Sequence, residues 1–64
     1  MKVHYDTETD ALYVRFATAA VADSEEVAPE VVLDFDAAGR LVAMEVLEAK
    51  RHLAPGAELP EAAE

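Results

Sequence analysis

The sequence predicts a mostly β protein of the α+β class: a twisted antiparallel sheet of 4–5 strands, built from two hairpins, with one short C-terminal helix. Three observations carry that prediction. Residues 1–16 contain two segments in which apolar and polar positions alternate, the period of a strand with one covered face. Residues 31–47, VVLDFDAAGRLVAMEVL, contain two further apolar segments around a tight-turn signal. Residues 48–54 have helical spacing and run into Pro55-Gly56, a stop signal. Sixty-four residues make one domain, expected over 1–54, with 55–64 an acidic, flexible C-terminal tail.

The first hairpin pairs Met1–Asp6 with Ala11–Phe16. Placing Asp6 opposite Ala11 leaves Thr7-Glu8-Thr9-Asp10 as the loop, where short polar side chains bond nearby backbone. Tyr5 then faces Leu12, Val3 faces Val14 and Met1 faces Phe16, so one side is wholly apolar. The other carries Lys2, His4, Asp6, Ala11, Tyr13 and Arg15. A slip of one residue would mix the two sides.

Residues 17–22 read as a loop or a frayed strand end. Val21–Val27 fits a short edge strand whose acidic residues discourage edge pairing. It equally fits a helical turn capped by Asp23 or Ser24, with Glu25 and Glu26 in the first turn. Pro29 ends either element.

In the second hairpin, Asp36-Ala37-Ala38-Gly39 fits a type I turn with glycine in the left-handed position, forming a bulge before the return strand. With Asp36 opposite Arg40, the residues Phe35, Leu33 and Val31 would face Leu41, Ala43 and Glu45. That register puts apolar residues on both sides of the return strand. The hairpin is then expected to need cover on both faces, more than one small chain supplies. Packing against a symmetry mate, most simply in a dimer, is the expected remedy. Glu48–Ala54 forms the helix, with Ala49 and Leu53 one turn apart and Lys50, Arg51 and His52 near its end.

Composition narrows the function. The formal charge is −9, from 14 acidic and 5 basic residues. That argues against direct nucleic-acid binding, which needs a basic surface, and for a basic protein partner. No run approaches the roughly 18 apolar residues of a membrane span. MKVHYDTETD lacks the apolar core of a secretion signal, so a cytoplasmic protein without membrane contact is expected. There is no cysteine, hence no disulfide framework. No phosphate-binding glycine loop occurs, and no cofactor is implied. Fourteen alanines inflate the hydrophobic content of 53% without adding much burial.

Few residues are placed to do chemistry. Glu45, read on an apolar face, would be desolvated and its acid form favoured, which suits a general acid. The same residue could simply bond Tyr13, His4 or Arg15. His4, Asp6, Asp10 and Tyr13 gather near one end of the first hairpin, as turn chemistry or as a carboxylate–histidine pair; a metal site needs more converging ligands. Asp34-Phe35-Asp36 with Gly39 lacks the remaining ligands and closing glutamate of a calcium loop. Ser24, the sole serine, has no base near it in sequence, so no metal and no nucleophilic triad are assigned.

The ordered set Tyr5-Asp6, Asp10-Ala11-Leu12-Tyr13-Val14, Ser24-Glu25-Glu26-Val27, Val32-Leu33-Asp34, Asp36, Gly39-Arg40-Leu41-Val42, Glu45-Val46-Leu47 and Ala49 resembles a family of small bacterial and archaeal proteins called domain of unknown function 2283. The likeness covers about residues 1–50. The chain departs from the family pattern at Ala43-Met44, where glycine usually precedes an isoleucine–glutamate pair, and at Lys50, where serine is common. The resemblance implies a small β-rich fold and no assigned activity. Members are said to lie near genes for ribonuclease-like toxins, which implies an antitoxin-like role. The function expected is therefore a non-enzymatic, homo-oligomeric protein-interaction module binding a basic partner. The rival is a small enzyme using Glu45 with Asp10, Tyr13 or His4 at a subunit interface.

Overall fold

The computed structural model describes residues 1–59. Five strands form one antiparallel sheet: β1 (Lys2–Asp6), β2 (Ala11–Arg15), β3 (Asp23–Ala28), β4 (Val31–Phe35) and β5 (Leu41–Val46). They lie in the order β1-β2-β5-β4-β3, and a single helix, α1 (Ala49–His52), follows β5. The class is as expected, mostly β with one short C-terminal helix. Residues 60–64, the end of the expected tail, lie outside the described part.

The first hairpin has the predicted register. Tyr5 pairs with Leu12, Val3 with Val14 and Asp6 with Ala11. Residues 23–28 are an edge strand, so the helical turn considered there is corrected. Its residues all remain exposed, consistent with a charged edge that pairs on one side only. Pro29 and Glu30, the latter at φ 68°, make the two-residue link to β4. The second turn also forms as read. The Gly39 amide donates to the Asp36 carbonyl (3.0 Å), Asp36 N–H donates to the Arg40 carbonyl (2.8 Å), and Gly39 sits at φ 84°.

Beyond that turn the predicted register fails. Phe35 pairs with Leu41, but Asp34 then pairs with Ala43, Leu33 with Met44, Val32 with Glu45 and Val31 with Val46. One residue is extra on β5, a bulge that shifts the pairing by one. The expectation that both faces of this hairpin are apolar is therefore corrected. Val42, Met44 and Val46 share a face with Val31 and Leu33, and through β2 with Leu12 and Val14. Ala43 and Glu45 share the opposite face with Asp34, Val32, Tyr13 and Arg15. The bulge sorts the side chains because the unbulged register would bury a carboxylate among aliphatic residues, at a cost of several kcal/mol.

The core sits on the apolar face at one end. Tyr5, Leu12, Val46 and Ala49 form it, with Val14, Val31, Met44, Leu53 and Leu59 packed against them. Helix α1 covers this end. The other end of the same face has no cover from the described residues, and Val3, Phe16 and Leu41 are 42–43% exposed there.

Candidate functional site

Two polar clusters stand out, one on each face of the sheet. The cluster on the polar face is built by β2, β5, β4 and β3. Strand register sets Tyr13 opposite Glu45, Glu45 opposite Val32, and Asp34 between Ala43 and Ser24. Asp34 therefore lies diagonally across from Glu45, within reach of a long side chain. It is 3% exposed, an unusual position for a carboxylate. The Ser24 hydroxyl donates to Asp34 Oδ1 at 2.6 Å.

The hydrogen bond to Asp34 pushes the Glu45 carboxyl above its ordinary range. Partial burial and the charge on Asp34 act in the same direction. A neighbouring acid favours the neutral form of Glu45. The sequence reading expected a raised Glu45 from apolar burial, and the leading cause is instead a second acid. Tyr13, although opposite Glu45, is engaged elsewhere: its hydroxyl accepts from Arg15 Nη1 at 3.0 Å, and Arg15 Nη2 donates to the Ala19 carbonyl at 2.8 Å. His4 lies beside Tyr13 on the exposed edge strand.

Asp10 is not part of that face. Its carboxylate accepts from the Tyr5 hydroxyl at 2.5 Å, on the apolar side. It also faces the start of α1: the Asp10 carbonyl accepts from the Ala49 amide at 2.8 Å, and its carboxylate lies 3.2–3.3 Å from the Lys50 amide. These are first-turn donors that a helix cannot satisfy internally. Glu48, the residue preceding α1, provides no side-chain cap, so a residue from the first hairpin does so. The hydrogen bond to Asp10 pushes the Tyr5 phenol up to about 12. Asp6 serves its own turn, accepting from the Glu8 amide at 3.0 Å.

The far end of α1 is tied to the link between β3 and β4. Arg51 and His52 both bond Glu30 Oε1, His52 at 2.8 Å. Glu30 is held below the usual carboxylate range by His52 first and Arg51 second. A shallow concavity follows the helix, lined by Lys50, Leu53, Pro55, Ala57 and Leu59 among others. Among the described residues, no three metal-ligating side chains converge.

Of the candidates read from sequence, Tyr13, His4 and Glu45 thus share the polar face, and Asp10 lies apart. Asp34 and Tyr5 were missed as partners. An acid inside the apolar run Val31–Phe35 was the available signal for Asp34. Nothing in the sequence marks Tyr5 as the partner of Asp10.

Residues 2–50 match a family described as Protein of unknown function (DUF2283). The chain belongs to that family. No curated protein and no solved structure matches it. In this family member, Ser24, Asp34 and Glu45, drawn from separate blocks of the resembling residues, meet on the polar face. Tyr5 and Asp10, from the first block, meet under α1. Arg51 and His52 fall outside the matched span.

Proposed function

We propose that this DUF2283 protein is a non-enzymatic, homo-oligomeric interaction module whose open apolar half-face receives a basic protein partner, in the manner of an antitoxin. One observation carries the reading: α1 covers only one end of the apolar face. At the other end Val3, Phe16 and Leu41 are exposed beside half-buried Val14, Leu33, Phe35 and Met44. Contiguous exposed apolar surface with a charged rim marks an interaction site. The rim here is acidic, since Asp23 pairs with Phe35 and Glu25 with Leu33, and the chain carries −9 overall. A partner with apolar anchors and basic flanks complements both features. A cytoplasmic setting fits such a role.

A synthetic helical peptide of lysine and leucine is the probe for this surface. We expect it to bind with an affinity that falls as salt rises. Phe16→Asp, at an exposed position, should weaken binding at least about tenfold, the scale of one lost anchor, while leaving the far-UV spectrum unchanged. Equal binding by the variant would overturn the assignment of the face. A monomeric mass at all concentrations by light scattering would overturn the oligomeric part.

The enzymatic reading has one observation in its favour, the acid pair of Asp34 and Glu45. A general acid at Glu45 would need a substrate-sized recess beside it and a partner able to relay the proton. In the geometry described, Tyr13 bonds Arg15 rather than Glu45, and the described concavity lies beyond α1. The interaction reading is the better supported. Turnover lost on Glu45→Gln with binding of the lysine–leucine peptide intact would reverse that order.

A further inference from the structure

The two edges of the sheet are unlike. The β3 edge carries Asp23, Glu25 and Glu26 and a bulge between Glu26 and Ala28. Acidic side chains and bulges are both devices that keep an edge from pairing. The β1 edge has neither a bulge nor a proline, and its pairing with β2 is unbroken from Lys2 to Asp6. Its outward backbone groups form a regular ladder that another strand can extend.

The sequence of β1, KVHYD, also fits a reversed copy of itself. In an antiparallel pair about a two-fold axis, residues directly opposite must belong to the same face. Only registers that keep odd residues opposite odd and even opposite even satisfy that. One of them pairs the whole strand, with His4 on the axis. Lys2 then lies opposite Asp6 of the second copy, twice over, and Val3 lies opposite Tyr5 of the second copy, also twice. Opposite charges and aromatic–aliphatic neighbours are favourable cross-strand pairs, worth about 0.2–1 kcal/mol each. Shifting the register toward either end leaves residues unpaired and separates Lys2 from Asp6.

We propose that β1 is the dimerisation edge of this protein: two copies join antiparallel through Lys2–Asp6, about a two-fold axis at His4, into a continuous ten-stranded sheet. This rests on the homo-oligomeric reading above and specifies where the copies meet. The join covers Val3, one of the exposed residues of the apolar face, against Tyr5 of the second copy, and leaves the two open half-faces on one surface at its opposite ends. The dimer would then offer two separate sites related by the two-fold axis. Five paired residues bury less than a standard interface, so the dimer is concentration-dependent rather than permanent.

The absence of cysteine makes crosslinking unambiguous. In His4→Cys the two introduced thiols face each other, at a spacing that suits a disulfide. Mild oxidation should give a covalent dimer, and the β3-edge control Glu25→Cys should give none. Lys2→Glu sets acid against Asp6 and should raise the dimer dissociation constant at least about tenfold by sedimentation, the effect of about 1.4 kcal/mol. Lys2→Glu combined with Asp6→Lys should restore it. Crosslinking through Glu25→Cys in place of His4→Cys, or a dimer indifferent to Lys2→Glu, would overturn the β1 edge while leaving the oligomeric reading intact. A wild-type chain that is monomeric throughout would overturn both.

Discussion

Asp10 shows how much one side chain can organise in a chain this small. It ends the first turn at φ 57°, a conformation that aspartate tolerates better than most residues. From there it accepts from Tyr5 and caps α1, forty residues away in sequence. Tyr5→Phe keeps the ring and removes the donor. We expect its Tm at neutral pH to fall on the order of 5 °C, the effect of one buried hydrogen bond in a domain of this size. The pH dependence has a definite sign. A phenol raised from 10.0 to about 12 is more readily kept neutral in the folded state than in the unfolded one. Its contribution is complete below pH 10 and is lost as pH rises toward 12. Tyr5→Phe should lack that alkaline decline, and thermal melts followed across this interval will show whether it does. At Glu45 the raised carboxyl works similarly at the acid end. Its contribution is full below the ordinary value of 4.5 and fades as pH climbs through the raised one. Glu45→Gln cannot ionise and still donates to Asp34, so its Tm at pH 7 should exceed that of the wild type by a few degrees. A lower Tm would mean that the carboxylate forms a stabilising contact instead.

Elements whose signals are local were legible in the sequence. The register of β1 and β2 is restricted by alternation, because a slip of one residue mixes Tyr5, Val3 and Leu12 with Lys2, His4 and Arg15. The turn at Asp36–Gly39 was equally plain: the Asp36 carboxylate accepts from the amides of Ala38 (2.9 Å) and Arg40 (2.8 Å), and glycine supplies the left-handed position. A Cβ at Gly39 would meet nothing within 4 Å, so only backbone strain opposes Gly39→Ala. That substitution should cost about 1 kcal/mol by chemical denaturation, and Gly39→Asn should cost less. The bulge within β5, at Val42, was not legible. Leu41, Val42 and Ala43 read equally well in either register, and the choice depends on which acid meets which strand across the sheet. The site suffered the same loss. Glu45 was visible as an acid in an apolar strand, but its partner Asp34 becomes a diagonal neighbour only after the shift. The capping of α1 by Asp10 was hidden by sequence distance.

At the scale of the whole molecule, charge opposes compactness. A formal charge of −9 on 64 residues makes the folded chain repel itself. Against this stand the ion pair of Glu30 with Arg51 and its hydrogen bond with His52, which are solvent-accessible and contribute little. Repulsion is the larger effect, and salt screens it over about 10 Å at 0.1 M. The Tm should therefore rise as sodium chloride is added from low ionic strength. A fall would mean that the Glu30 cluster holds α1 down more firmly than exposed ion pairs ordinarily do.

The irregularity between Phe35 and Ala43 has a consequence for how sequences of this kind can vary in length. Strand faces obey parity. Val42 is the surplus residue, so deleting its codon would leave Leu41 opposite Phe35, Ala43 opposite Asp34 and Met44 opposite Leu33, an even ladder with every later side chain on the surface it already occupies. A codon lost further along, at Met44, would instead turn the rest of the strand over and send Glu45 to the side of the helix. Single-residue changes in length should therefore be tolerated at Val42 and resisted between Ala43 and Val46.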